Sequence, residues 1–268
     1  MKIAVISDLH LASSAKVDNF GKQQEEIFIS FLEYLVSKKY NKLVVCGDMY
    51  ELWQGRGWTE YSRYKKIRKR YVKLHNKLVE VSMEGLDIII LPGNHDYLLH
   101  TKFGMDLYHF VSSDKLGKIM FLHGHQFDDN YKSKWSWVKA KLATSFWGWV
   151  ESVIGTKKSN KILNSIEKYI DKLSVKSKQP ASKLKETEPN VDQIYANLAL
   201  KEARKHSAKV VIMGHTHKVY SVTMSSKAKQ PLLYFNSGTL IDGKFDWISI
   251  NTNTGKIQTL HLQTLHFK

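Results

Sequence analysis

The sequence predicts an α/β fold: sheets flanked by helices, with a helical cap inserted late in the chain. Three observations carry this reading. Short, nearly continuous apolar runs alternate with segments of helical periodicity, as in strands covered on both faces. Five of those runs end directly in residues that can hold a metal. One stretch, rich in Lys and Trp, differs in character from everything around it.

In chain order, Lys2–Ile6 reads as a short buried strand and 23–39 as an amphipathic helix with Ile27, Phe31, Tyr34 and Leu35 on one face. Lys42–Cys46 is a second apolar run. Tyr61, Tyr64, Tyr71, Leu74, Leu78 and Val81 then recur at helical spacing, with Lys and Arg filling the opposite face. Residues 86–91, 118–122 and 209–213 are three further apolar runs, and 191–206 is helical. From 232 to 262, Ser237-Gly238 and Asn253-Thr254-Gly255 punctuate β-rich segments, which predicts two or three antiparallel strands.

The segment 131–190 stands apart. Its 13 Lys and 5 acidic residues supply half of the chain's net charge of +16, and it holds four of the seven Trp: Trp135, Trp137, Trp147 and Trp149. The expected organisation is therefore a core formed by 1–130 and 191–268, with 131–190 as a Lys/Trp-rich helical cap. A chain of 268 residues, 43% hydrophobic, can bury a core of that size. The lone Cys46 excludes an internal disulfide and reads as a buried small hydrophobe. No apolar stretch approaches the roughly 18–20 residues of a membrane span, and the run Ile3–Ile6 meets Asp8 too soon for a signal-peptide core. These features predict a cytoplasmic protein. The charge predicts attraction to polyanions: a phosphorylated substrate, the anionic inner face of a membrane, or nucleic acid.

The chemistry lies where the apolar runs stop. Val5-Ile6-Ser7 leads to Asp8-Leu9-His10, Val44-Val45-Cys46 to Gly47-Asp48, and Ile89-Ile90-Leu91 to Pro92-Gly93-Asn94-His95-Asp96. Met120-Phe121-Leu122 leads to His123-Gly124-His125, and Ile212-Met213 to Gly214-His215-Thr216-His217. Sites in open α/β sheets form just beyond the carboxyl ends of strands, so five such ends can converge in space. Carboxylates, an amide oxygen and imidazoles without thiolates suit Mn²⁺, Fe²⁺ or Zn²⁺. Two such ions sharing a carboxylate can activate water and clamp a phosphoryl group. Gly47, Gly93 and Gly214 are expected to let the backbone turn beside the ions.

These five blocks resemble, in order, the signature of the calcineurin-like metallophosphoesterases. The resemblance implies a two-sheet β-sandwich flanked by helices and a dinuclear centre, with Mn²⁺ the first choice of metal. Asp8, His10 and His217 would hold one ion and Asn94, His123 and His215 the other, with Asp48 between them. His95 would face the phosphate without binding metal, and Asp96 would orient its ring.

The strings Gly47-Asp48-Met49-Tyr50-Glu51-Leu52-Trp53 and His123-Gly124-His125-Gln126-Phe127-Asp128 are similar to the branch containing UDP-2,3-diacylglucosamine hydrolases. That likeness implies a nucleotide–lipid pyrophosphate substrate. The cap would then lie peripherally on the inner face of the membrane, its Trp and Phe146 interleaved with Lys132, Lys134, Lys139 and Lys141. The best-described members of that branch carry Arg where this chain has His95. The rival substrates are nucleic acids and nucleotide diesters, which would also account for the charge, including the run Arg63, Lys65, Lys66, Arg68, Lys69, Arg70 and Lys73. A non-catalytic binding scaffold is disfavoured because every expected ligand is present. Outside the blocks, His75, His100, His109, His206, His261 and His266 read as surface or core residues. His125 is left between a substrate contact and structural support, and Glu51 between a site hydrogen bond and a salt bridge.

Overall fold

The computed structural model describes residues 1–128, 190–226 and 229–261. The cap expected over 131–190 lies outside them except for Asn190, as do its aromatic and basic residues.

Two five-stranded sheets face each other. The first runs β12 (Lys256–His261), β11 (Asp246–Asn251), β1 (Lys2–Ile6), β3 (Lys42–Cys46), β5 (Asp87–Leu91). The second runs β6 (Tyr108–Ser113), β7 (Gly117–Leu122), β8 (Val210–Met213), β10 (Lys229–Ser237), β9 (Val219–Ser226). Each has three parallel strands, β1-β3-β5 in one and β7-β8-β10 in the other. The remaining strands pair antiparallel. A two-stranded parallel ladder, β2 (Leu11–Ala12) with β4 (Tyr50–Glu51), extends the loops above the first sheet.

The alternation of side chains along each strand explains the layers. Ile3, Val5, Val44 and Cys46 of the first sheet meet Ile119, Phe121, Val210 and Ile212 of the second, forming the core between the sheets. The opposite faces are covered by helices. Ala4, Ile6, Leu43 and Val45 pack with residues of α1 (Gly21–Ser37), α2 (Glu60–Arg70) and α3 (Val72–Met83). Met120, Leu122, Val211 and Met213 pack under Ala196, Ala199, Leu200 and Ala203 of α5 (Val191–Lys205), the helix after the short α4 (Leu98–Phe103) among the described residues. The expected two-sheet sandwich with flanking helices is the observed architecture.

Local chemistry sets the helix ends. Thr59 accepts from Ser62 N at 3.1 Å while the Ser62 hydroxyl accepts from Thr59 N at 3.2 Å, closing a capping box at the start of α2. Asn190 caps α5 by accepting from Asp192 N at 3.1 Å. Arg68, Lys69 and Arg70 in the last turn of α2 suit the negative end of its dipole.

Two expectations are corrected. The continuous helical period from Tyr61 to Val81 is two helices, because Tyr71 leaves helical geometry at φ −107°, ψ 38°. The α1 face is turned toward Phe28 and Leu32, with Ile27 and Tyr34 only partly buried at its margins. In the tail, β11 and β12 form the expected antiparallel pair and complete the first sheet, whereas β10 lies in the second, antiparallel to β9 and parallel to β8. No helix among the described residues is long and apolar enough to cross a membrane.

Candidate metal centre

β1, β3, β5, β7 and β8 end in the five blocks, and the loops beyond them meet over one edge of the sandwich. Backbone conformation there is unusual. Asp8, His10, Asp48, His215 and His217 all have positive φ, between 49° and 76°. Only three other non-glycine residues among those described share that conformation. Left-handed backbone costs energy for residues with a Cβ, and its concentration at one place marks a functional constraint.

The seven expected ligands converge as two groups. In the first, His217 Nε2 is 3.2 Å from Asp8 Oδ1 and 3.3 Å from His10 Nε2. In the second, His123 Nε2 is 3.0 Å from Asn94 Oδ1 and 3.2 Å from His215 Nδ1. Asp48 Oδ2 stands between them, 3.8 Å from His10 Nε2 and 3.2 Å from His123 Nε2. Asp8 Oδ1 is buried without a hydrogen-bond donor aligned on it. Ring nitrogens and carboxylate oxygens pointing at one another across such gaps suit a cation. The distance between neighbouring ligands is roughly 3.0–3.4 Å when bonds are about 2.0–2.1 Å long. The donors present therefore fit divalent ions.

Supporting bonds fix the rings. His123 Nδ1 donates to Cys46 O at 2.8 Å, leaving Nε2 to face the centre. His215 Nε2 bonds Asp128 Oδ1 at 3.0 Å, which turns its Nδ1 inward, and Tyr195 donates its hydroxyl proton to the same Asp128 oxygen. Burial alone would raise the Asp8 and Asp48 carboxyls, but the imidazoles around them hold both below the ordinary range. Burial likewise disfavours a charged His123, yet Asp48 and Asp8 lift it to about 10 in the metal-free chain.

Two glycines matter for close approach rather than for turning. A Cβ at Gly93 would fall on Asp48 Oδ1, and one at Gly214 on the side chains of Ser7 and Asp8. Neither has positive φ; Gly47 does, at 86°, and its Cα sits against the His123 ring.

The expected partner of His95 is corrected. Asp96 does not touch that ring; its carboxylate accepts from Gly93 N at 2.6 Å and Tyr50 N at 3.1 Å, bracing the loop. Glu51 takes the orienting role, with Oε2 accepting from His95 Nδ1 at 2.6 Å and lying 3.5 Å from His10 Nδ1. Its other oxygen accepts from Trp53 N and Gln54 N. Trp53 stacks on His95 with ring centres 4.6 Å apart. Burial opposes charge on His95, but Glu51 and Asp48 outweigh it and lift the ring to about 9. Donor atoms of His95, His10 and Asp48 lie within 4.8 Å of one another, so the ring borders the first group. His125 is buried, edge-on to Tyr97 and beside His123, and burial first and then His123 press it down to about 3. Asp128, by contrast, went unassigned in the sequence. Its only signal there was its place at the end of the His123–Asp128 string.

Fold and centre together bring donors that fit divalent cations to the strand ends of both sheets. The family model for calcineurin-like phosphoesterases matches residues 1–219, and the chain belongs to that family. No curated protein matches it. Among solved structures it is similar to a dimetal phosphatase from Danio rerio, at 13% identity and TM-score 0.52, covering 97% of this chain and 95% of that one. It is also similar to Vps29 complexed with Zn²⁺ from Entamoeba histolytica, at 13% identity and TM-score 0.44, covering 97% and 98%. The first of these likenesses supports the fold.

Proposed function

We propose that this protein is a dinuclear-metal phosphoesterase that hydrolyses a pyrophosphate bond in a nucleotide–lipid substrate of the UDP-2,3-diacylglucosamine kind. The observation that carries the dinuclear reading is the placement of Asp48 Oδ2 between two donor groups, 3.8 Å from His10 Nε2 and 3.2 Å from His123 Nε2. Asp8, His10 and His217 would hold one ion and Asn94, His123 and His215 the other. When bound, the ions supply Lewis acidity and a water of lowered pKa.

The chain's own residues do the rest. Glu51 and the Trp53 face keep the His95 imidazole in one orientation, with Nδ1 committed to the carboxylate and Nε2 available to a leaving oxygen. Asp96 locks the loop that carries Asn94 and His95. Asp128 sets the tautomer of His215. The lipid assignment is supported by the two sequence strings and by the composition of 131–190.

A second reading, hydrolysis of nucleic acid or nucleotide diesters, is favoured by one observation: Lys65, Lys66, Arg68, Lys69 and Lys73 are all exposed along α2 and the start of α3. The test is Mn²⁺-dependent release of UMP from UDP-2,3-diacylglucosamine, beside a chromogenic phosphodiester and single-stranded DNA, with Asp48→Asn as blank. Preferred UMP release is expected. Turnover of only the diester or the DNA would remove the lipid assignment and keep the phosphoesterase.

A further inference from the structure

Beside the metal centre, on the side where His217 is open to solvent, lies a cleft that none of the seven ligands requires. It encloses about 480 Å³ and is lined by His217, Lys218, Lys244, Phe245, Asp246 and His261 among others. That volume falls within the range of small-molecule sites. One wall is thus an expected metal ligand, so a group held at the centre would be continuous with a group held in the cleft. The His217 side chain is 39% exposed, compared with 0% for the Asp8 it faces.

The cleft's charges are unevenly committed. Asp246, its acidic residue, is spoken for: Oδ1 accepts from His261 Nδ1 at 2.7 Å and Oδ2 accepts from Thr239 N at 3.4 Å. Lys218 Nζ lies 3.9 Å from Asp192 Oδ2 with its side chain 73% exposed, a loose contact that a bound anion can replace. Lys244 is exposed, and its ammonium makes no ion pair among the described residues. It follows the Asp242-Gly243 turn, where both residues have positive φ. Two ammonium groups are therefore available at the rim of a cleft whose carboxylate oxygens already accept hydrogen bonds from His261 and Thr239.

We propose that this cleft seats the second phosphate of a diphosphate-linked substrate, with Lys218 and Lys244 as its ligands. The two phosphates of a diphosphate share one oxygen, so a first phosphate at the metals carries its neighbour directly past His217. A monoester has nothing to place there. The inference deepens the phosphoesterase reading and rests on the metals drawing the first phosphate, but it concerns binding and can be tested without turnover.

The experiment is calorimetric titration of UDP and UMP into the full chain with Mn²⁺, for wild type, Lys218→Ala/Lys244→Ala and Lys244→Glu. Lys201→Ala, exposed on α5, is the control for general charge loss. Circular dichroism establishes that each variant is folded. Wild type and control should prefer UDP. The double variant should lose roughly 10–100-fold in UDP affinity, the scale of one or two charge-assisted contacts, and far less for UMP. Lys244→Glu should weaken UDP binding and weaken UMP binding far less. Equal weakening of UDP and UMP, or no change in either, would overturn the proposal. If wild type and variants show the expected pattern while no phosphoester is hydrolysed, the cleft stands and the catalytic reading falls. Hydrolysis without that pattern has the opposite meaning.

Discussion

One oxygen of Glu51 faces two imidazoles, at 2.6 Å from His95 Nδ1 and 3.5 Å from His10 Nδ1, and so couples an expected metal ligand to the expected proton donor. Glu51→Gln keeps the shape and removes the charge. It should lower turnover of a chromogenic diester by roughly 10–100-fold, the usual cost of losing a carboxylate behind a ligand. His95→Ala should lower turnover by roughly 10²–10⁴-fold with metal content, measured by elemental analysis, unchanged. Loss of a metal equivalent in His95→Ala would instead make His95 a ligand. The ligand residues were legible because each follows an apolar run within a few positions. Their supports were not, since Glu51 lies 44 residues from His95 and Asp128 lies 87 from His215. Such pairings exist only once the strands have brought their loops together. Asp96 shows the converse error: adjacency to His95 in sequence suggested a contact, but its side chain turns back to the loop's own amides.

At the scale of elements, α3 is tied to β4 through a buried histidine. His75 Nδ1 donates to Tyr71 O at 2.7 Å, so its Nε2 must accept from the Tyr50 hydroxyl at 3.1 Å. Both ring nitrogens are used in the neutral form. Burial, and then Arg68, hold its pKa below the ordinary value. The unfolded chain takes up this proton near pH 6.5 and the folded chain only at lower pH. Full stability from this residue is therefore present above about pH 6.5 and is lost as pH falls from there toward the folded value. Urea midpoints of wild type at about pH 7.5 and about pH 5.5 should differ more than those of His75→Gln. An identical difference in both proteins would show that His75 contributes no pH dependence. The same region shows why its elements were only partly readable. Apolar residues keep helical spacing from Tyr64 through Tyr71 to Val81, so nothing in the period announces the break at Tyr71. The edge strands β6 and β9 were missed because polar residues such as His109, Ser112, Ser221 and Thr223 interrupt their apolar positions. Tyr108, His109 and Phe110 are only half-buried, and Val219, Tyr220 and Val222 likewise alternate with exposed positions or are half-covered. The central strands, and β5 at an edge, announced themselves by continuous apolar runs, which β6 and β9 do not have.

For the whole molecule, the centre is also a clasp. Asp8, Asp48 and Asn94 follow strands of one sheet, whereas His123, His215 and His217 follow strands of the other. Each donor group combines residues from both: Asp8 with His217 in the first, and Asn94 with His123 in the second. Without cations, buried carboxylates, imidazoles and strained left-handed backbone are held together by the apolar core between the sheets. Bound cations would add direct cross-links and favour the folded state by mass action. At a free metal concentration 100 times Kd that contribution is roughly 2.7 kcal/mol. For a chain of this size it should raise Tm by roughly 5–10 °C. The measurement is thermal unfolding in chelator and across a Mn²⁺ series, for wild type and Asp48→Asn. Wild-type Tm should climb with metal concentration, and Asp48→Asn should climb far less because the oxygen between the two groups has lost its charge. A wild-type Tm indifferent to metal would mean that the convergence of these seven residues does not join the sheets. Equal climbing in both proteins would move the shared position away from Asp48. The positive charge of the chain makes a non-specific stabilisation by Mn²⁺ an unfavourable explanation, since at +16 the surface repels cations and only a buried cluster of carboxylates and imidazoles draws them in.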